Sequence, residues 1–372
     1  MRPISLNPRA GASGITGYLI VLYVVLIAYV SLTPFSGWRA PSLGIWSFLT
    51  QSWPHYITRF DVAINFLAYL PLGLLLYAYR AQFGSRNQAL VISVTAGLLL
   101  SLAMELLQSS LASRTASNLD FFANGVGCLT GALLSAWLGR NTAIEATLLR
   151  MRRELFLPGK VVDIGLVLLC VWLISQLNPS IPFFGAGVVT DSTPPFDNEY
   201  DYEYGTQPHA DVPFALGTAL NFCGLGLFVT TLMRNRFQAL VAVQMLLGLA
   251  FSLKLTAAHA LLRPQVVTEW HSDETLAGLA AGFVILLPLC FVRLNRRIYL
   301  AAVLILAGGL LSKLAGSYAS LREVLRLFDW PYGQLLHFTG LTLYLNEVWP
   351  LAALIFLFAY WWRQRSAERA RL

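Results

Sequence analysis

Arg114-Thr-Ala-Ser-Asn-Leu-Asp-Phe-Phe-Ala-Asn124 is a short polar loop that turns into an apolar helix. It places Arg114, Asp120 and Asn124 where the chain enters a hydrophobic run. Two earlier apolar segments carry matching polar groups, Asp61 with Asn65 and Glu105 with Gln108. Ionisable side chains at hydrocarbon depth are costly, and helices rarely carry them without a use. The rest of the chain says that the surroundings are hydrocarbon. Its 372 residues are 56% hydrophobic and 12% charged, with a mean hydropathy of +0.61. A soluble domain carries about 25% charged residues. Several runs here approach the ~20 apolar residues that cross a bilayer. The sequence therefore describes an all-α, polytopic transmembrane bundle.

Ten spans are expected, near 15–32, 62–79, 88–111, 120–138, 161–177, 213–232, 237–262, 274–292, 298–315 and 344–362. Arg2 and Arg9 precede the first run, as in a signal peptide. That run is too long for a signal core and lacks a small-x-small cleavage site, so it reads as a retained helix. Segment 317–343 carries Arg322, Glu323, Arg326 and Asp329 before Trp330-Pro331-Tyr332-Gly333, and reads as an amphipathic helix on the membrane surface. With both termini cytoplasmic, most of the 26 basic residues fall on the inner side, as the positive-inside rule requires of a bacterial inner-membrane protein. The outer loop 178–212 has no Lys or Arg and carries Asp191, Asp197, Glu199, Asp201, Glu203 and Asp211, with Tyr200, Tyr202 and Tyr204 interleaved. The net charge of +7 thus belongs to the inner rims, and nucleic-acid binding is excluded as its meaning. Cys128, Cys170, Cys223 and Cys290 all lie in apolar runs, none in a CxxC pair, and read as small buried hydrophobes.

A faint internal repeat divides the chain. Ala63-Ile-Asn65-Phe66 resembles Ala219-Leu-Asn221-Phe222, and Gly127 with Gly131 resembles Gly278 with Gly282. Spans one to four and five to eight would be two copies of a parallel four-helix unit. The domains are then 1–138, a basic linker 139–160, a second unit 161–292 with its acidic loop, and terminal spans in 293–372. In the second copy Glu105 becomes Thr256, Arg114 becomes Gln265 and Asp120 becomes His271, so the first copy holds the charged set. Lys254 and Lys313 lie inside spans, Lys254 near enough to an end to snorkel. His259 and His271 fall near the outer end of the second copy.

Within the first copy the spacings put each pair on one helix face: Asp61 and Asn65 at i, i+4, Glu105 and Gln108 at i, i+3, and Asp120 and Asn124 at i, i+4. Gly127 and Gly131 continue the last face and let a neighbouring helix approach. In the expected topology all three pairs lie at the outer ends of their spans, with Arg114 at the same level. Asp61 and Asp120 also sit where an Asp caps a helix start. Glu105 is harder to explain structurally, because it lies about two turns inside its expected span and a buried carboxylate needs a partner.

Asp61-x3-Asn65, Pro71-x-Gly73, Glu105-x2-Gln108 and Arg114-x5-Asp120-x3-Asn124-x2-Gly127-x3-Gly131 together resemble the VanZ-like family over about residues 15–138. The resemblance implies a bacterial envelope protein related to a teicoplanin-resistance accessory protein. A weaker similarity joins Ser113-Arg114-x5-Asp120-x3-Asn124 to a signature of type 2 phosphatidic-acid phosphatases. There Asp stands for the nucleophilic His, and the companion Lys-x6-Arg-Pro is absent.

These readings converge on a polar cleft at the outer leaflet. Glu105, Asp120 and Asp61 are the candidate catalytic residues; Arg114, Gln108, Asn65 and Asn124 are the candidate binding residues. Membrane lipids or a lipid-linked envelope precursor would be the partner, with no organic cofactor. Carboxylates and amides are also the oxygen ligands that a divalent cation takes. Two rival classes are a proton-coupled transporter and a non-catalytic scaffold that docks an envelope-assembly protein on loop 178–212.

Overall fold

The computed structural model describes residues 8–41, 44–52, 59–140, 142–184, 189–190, 211–264, 267, 273–315, 319–320 and 334–369. The chain forms two compact units, one of residues 1–153 with 158–164, the other of 154–157 with 165–372. Apart from a two-residue parallel pairing of Val189–Thr190 with Ala319–Ser320, the described regular structure is helical.

The first unit is built from α1 (Pro8–Leu32), α2 (Ser47–Thr50), α3 (Arg59–Arg80), α4 (Arg86–Gln108), α5 (Asn118–Leu138) and α6 (Thr142–Leu155). Apolar composition makes the helices, and local chemistry sets their ends. At the start of α4, Ser85 accepts from Gln88 N while Gln88 Oε1 accepts from Ser85 N, each at 3.3 Å. This reciprocal box satisfies two donors that a helix start leaves open. Ser117 caps α5 by accepting from Leu119 N and Asp120 N.

The centre of the unit is the seam between α3 and α5. A Cβ on Gly127 would overlap the Phe66 carbonyl, and one on Gly131 the Leu70 carbonyl. Both contacts advance by four residues in the same sense, so α3 and α5 run parallel at backbone contact. Cys128 adds its own carbonyl against Gly73 from the other side. Around this seam Ile27, Leu32, Tyr69, Leu72, Met104 and Leu111 form the apolar core. The outward faces are apolar as well, with Val21, Leu67, Val91, Leu99 and Trp137 at least half exposed. On a water-soluble molecule such a surface would be an aggregation liability; facing lipid, it is the expected wall.

The second unit contains α7 (Lys160–Ser175, whose first turn belongs to the first unit), α8 (Asp211–Leu232), α9 (Arg236–Leu261), α10 (Asp273–Leu289), α11 (Leu294–Ala315) and α12 (Gln334–Arg369). α8 packs between α10 and α11, and α12 packs on α11. A seam like the first recurs: Gly278 lies against the Ala215 carbonyl and Gly282 against the Ala219 carbonyl. The register differs. Gly127 faces the residue after Asn65, whereas Gly278 faces a residue six before Asn221.

Among the described residues eight helices, α1, α3, α4, α5, α8, α9, α11 and α12, are long and apolar enough to cross a membrane. The expected fifth and eighth spans are the shorter α7 and α10, with 16 and 17 residues. Three expectations change. α4 stops at Gln108 rather than 111, so Glu105 sits less than one turn from the helix end. Of the expected surface helix 317–343, residues 317–318 and 321–333 lie outside the described residues, and 334–343 are the start of the continuous α12. Lys254 does not snorkel: it is 1% exposed, and its Nζ donates to Asn178 O at 2.7 Å and Ile181 O at 2.9 Å. The ammonium thereby closes the turn after α7, whose carbonyls would otherwise lack donors. Most of loop 178–212, with its tyrosines and its acids other than Asp211, lies outside the described residues, as does His271.

Candidate functional site

Three polar stripes meet along the α3–α4–α5 contact. On α3 the stripe is Asp61, Asn65 and Tyr69, one residue per turn; on α5 it is Asp120, Asn124 and Cys128; on α4, running the other way, it is Glu105, Ser101 and Gly97. Glu105 is 2% exposed. Its Oε2 accepts from the backbone N–H of Ser117 at 2.8 Å, and the charges of Asp120 and Arg114 act on it. Asp61, exposed at the start of α3, acts in turn on Asp120, toward which Asn65 also reaches. One turn deeper, Asn124 Nδ2 donates to Ser101 Oγ at 3.0 Å. The structure thus brings Glu105, Asp120, Asp61, Asn65 and Arg114 into one electrostatic neighbourhood, with Asn124 beneath it.

The remaining binding candidate and Arg114 have a second task. Gln108 Nε2 donates to Ser31 O at 2.9 Å, and Arg114 donates a short hydrogen bond to Val30 O. Both acceptors are last-turn carbonyls of α1, which have no partner within their own helix. A cation at that end also suits the helix dipole. Burial pulls the Arg114 guanidinium below its ordinary pKa, and the Glu105 charge pushes it back up. Gln108 is therefore a strut between α4 and α1, and Arg114 is a bridge from α1 to Glu105.

The loop between α4 and α5, which carries Arg114 and Ser117, is held in turn by a short cover. The segment after α1 pairs with the segment after α4: Arg39 N donates to Ser110 O at 2.8 Å and Ala112 N to Gly37 O at 3.1 Å. Gly37 holds φ at +76°, a conformation that favours glycine. Next to α2, Gln51 O accepts from Asn118 Nδ2 at 2.9 Å.

Enclosed polar atoms of the cluster that lack a full hydrogen bond include Asn65 Nδ2 and Asn124 Oδ1, with the Tyr69 hydroxyl just below. Such atoms are uncommon in a native interior and mark where a ligand or water would bond. Among the described residues no three His, Cys, Asp or Glu side chains come together as a metal-ligand set. The three carboxylates run in series rather than around a point. Asp120 is not the cap of α5, which is Ser117, three residues earlier. Ser117 is a residue of the cluster that sequence reading missed, and Ser-x-x-Asp ahead of an apolar run was its available signal. Ser101 and Tyr69 were also missed; each lies one turn from a polar residue that was chosen.

In the second unit, Asn221 Nδ2 bonds Ser312 Oγ at 2.9 Å and Phe184 O at 3.2 Å. It borders a small cleft of about 70 Å³ that Gln176, Lys313 and Glu347 also line.

Span-length apolar helices around an enclosed polar cluster define an integral, polytopic membrane protein. The VanZ/LLP1 family model matches residues 15–139, the stretch that builds α1 through α5, which is therefore similar to that family. No curated protein and no solved structure matches the chain significantly.

Proposed function

We propose that the VanZ-like unit holds the headgroup of a lipid-linked envelope precursor in the cleft between α3, α4 and α5, at the outer face of a bacterial inner membrane. The observation that carries this reading is the series Asp61, Asp120, Glu105, with Asn65 Nδ2 and Asn124 Oδ1 enclosed and unsatisfied beside it. The series holds three carboxylates to one guanidinium, and that guanidinium, beside Glu105 at its end, already bonds Val30. The cleft therefore suits a headgroup rich in hydrogen-bond donors, such as sugar hydroxyls, better than a purely anionic one. Asp61 and Asp120 accept from the headgroup, Asn65 and Asn124 orient it, and Glu105 gives or takes a proton. Arg114 holds Glu105 in place.

Native mass spectrometry of the purified protein tests this. A lipid-linked saccharide should co-purify with the native chain and be lost from Asp120→Asn and Asn124→Ala. Retention of the same species by both variants, or of ordinary phospholipids alone, overturns the reading. Turnover of that headgroup by purified protein would make the unit an enzyme, proton-dependent flux in proteoliposomes a carrier, and a co-purifying assembly protein without either a scaffold. Teicoplanin susceptibility is the phenotype to score, and Glu105→Gln should match the deletion there.

A further inference from the structure

We propose that a trough between α1, α3 and α4, at the end of the first unit away from the carboxylate cluster, binds an anionic phospholipid, with an acyl chain in the trough and the phosphate on Arg80.

The trough has a volume of about 560 Å³, within the ~300–1,000 Å³ of ligand pockets. Its walls are Val21, Leu76, Ile92 and Ala96, and Gly17 leaves it open where a side chain would stand. A Cβ on Gly17 would only touch the Tyr79 ring at 3.6 Å, so the space is real and packing does not demand the glycine. Val21 is 64% and Ile92 41% exposed, so the trough opens sideways to where lipid lies. An acyl chain would match that apolar lining.

Arg80 stands at its end. It is the last residue of α3 and of the candidate span Asp61–Arg80, which puts it at headgroup level. Its Nε is enclosed and has no hydrogen-bond partner among the described residues, and the ion pair found there belongs to other residues. Enclosed donors need an acceptor, and a planar guanidinium fits a phosphate with two parallel bonds. An acid at this end, Asp163, lies close to Gly14 and is held by Arg152 at 2.6 Å. Arg80 is therefore open to an outside anion. A hydrocarbon wall that ends in an uncommitted arginine at headgroup level describes a phospholipid with net negative charge.

The test uses the full chain in phosphatidylcholine nanodiscs doped with phosphatidylglycerol, with retained lipid counted by native mass spectrometry. The native protein should keep phosphatidylglycerol over phosphatidylcholine. Arg80→Gln should cut that preference about tenfold, the equivalent of one charge-assisted hydrogen bond. Arg80→Lys should cut it less, Gly17→Leu should block the acyl chain and cut it as far, and Arg86→Gln should leave it unchanged. Soluble glycerol phosphate should not displace the lipid. The proposal falls if Arg80→Gln keeps the preference, if Arg86→Gln lowers it equally, or if glycerol phosphate competes, since the site would then read only charge or only phosphate.

Discussion

Glu105 offers the most informative perturbation. Its Oε2 bonds the Ser117 N–H at 2.8 Å, and its charge acts on Arg114. Glu105→Gln keeps an oxygen for the Ser117 N–H and changes only the charge. Arg114 is half-buried, so the full cost of breaking a buried pair, about 3–5 kcal/mol, is screened to at most about 1–2 kcal/mol. Glu105→Ala strands the Ser117 N–H as well, which adds about 1–3 kcal/mol for an unsatisfied buried donor. Unfolding in mixed SDS micelles should therefore rank native, Glu105→Gln, Glu105→Ala, with the larger step at Ala. Envelope phenotype should rank them differently: Glu105→Gln should fail as completely as Glu105→Ala, because neither can exchange a proton. Equal stability losses within about 0.5 kcal/mol would refute the Ser117 contact as a determinant. A well-folded, fully active Glu105→Gln would refute the proton role.

The glycine seam predicts opposite signs for one kind of change. Gly131→Ala meets the Leu70 carbonyl and should destabilise by at least about 1–3 kcal/mol, while Gly248→Ala in α9, with nothing within 4 Å, should stabilise by about 0.5–1 kcal/mol; the same micelle titration reads both. Lys254→Met leaves the Asn178 and Ile181 carbonyls without donors and should cost about 2–4 kcal/mol, seen as lower yield and earlier unfolding. For orientation, single cysteines at Tyr200 and Met151 should label from opposite faces of sealed vesicles, and labelling from one face rejects the assigned topology.

The span pattern was legible because apolar runs of bilayer length have few other meanings, and α7 and α10 were legible as apolar runs without being long. The three stripes were legible in part, since i, i+4 spacing of Asp61 with Asn65 and of Asp120 with Asn124 needs only helical periodicity. Partners were not. Glu105 is answered by a backbone N–H, which no residue type announces, and Gln108 and Arg114 are answered by carbonyls of α1, more than 70 residues away in sequence. The early end of α4 at Gln108 was hidden for the same reason. Leu111 is apolar enough to extend a span, yet it is fully buried in the loop that folds back over Glu105. The cover formed by residues near Gly37 and Gln51 has no periodic signal at all, because irregular segments are placed by their hydrogen bonds.

The backbone contact of α3 with α5 has a mechanical consequence. With Gly127 and Gly131 seated on the Phe66 and Leu70 carbonyls, these two helices have no α5 side chain at those two positions to slide or change rotamer. They act as one stiff plank that carries Asp61 and Asp120 at a fixed spacing. Whatever enters the cluster cannot do so by wedging that pair apart. The compliant edge is the short cover, held to the loop after α4 by a few backbone hydrogen bonds and to α5 by Asn118. Traffic through this unit should accordingly resemble a hatch lifting from a rigid frame, with the rate of opening set by those few bonds and the fit set by the plank.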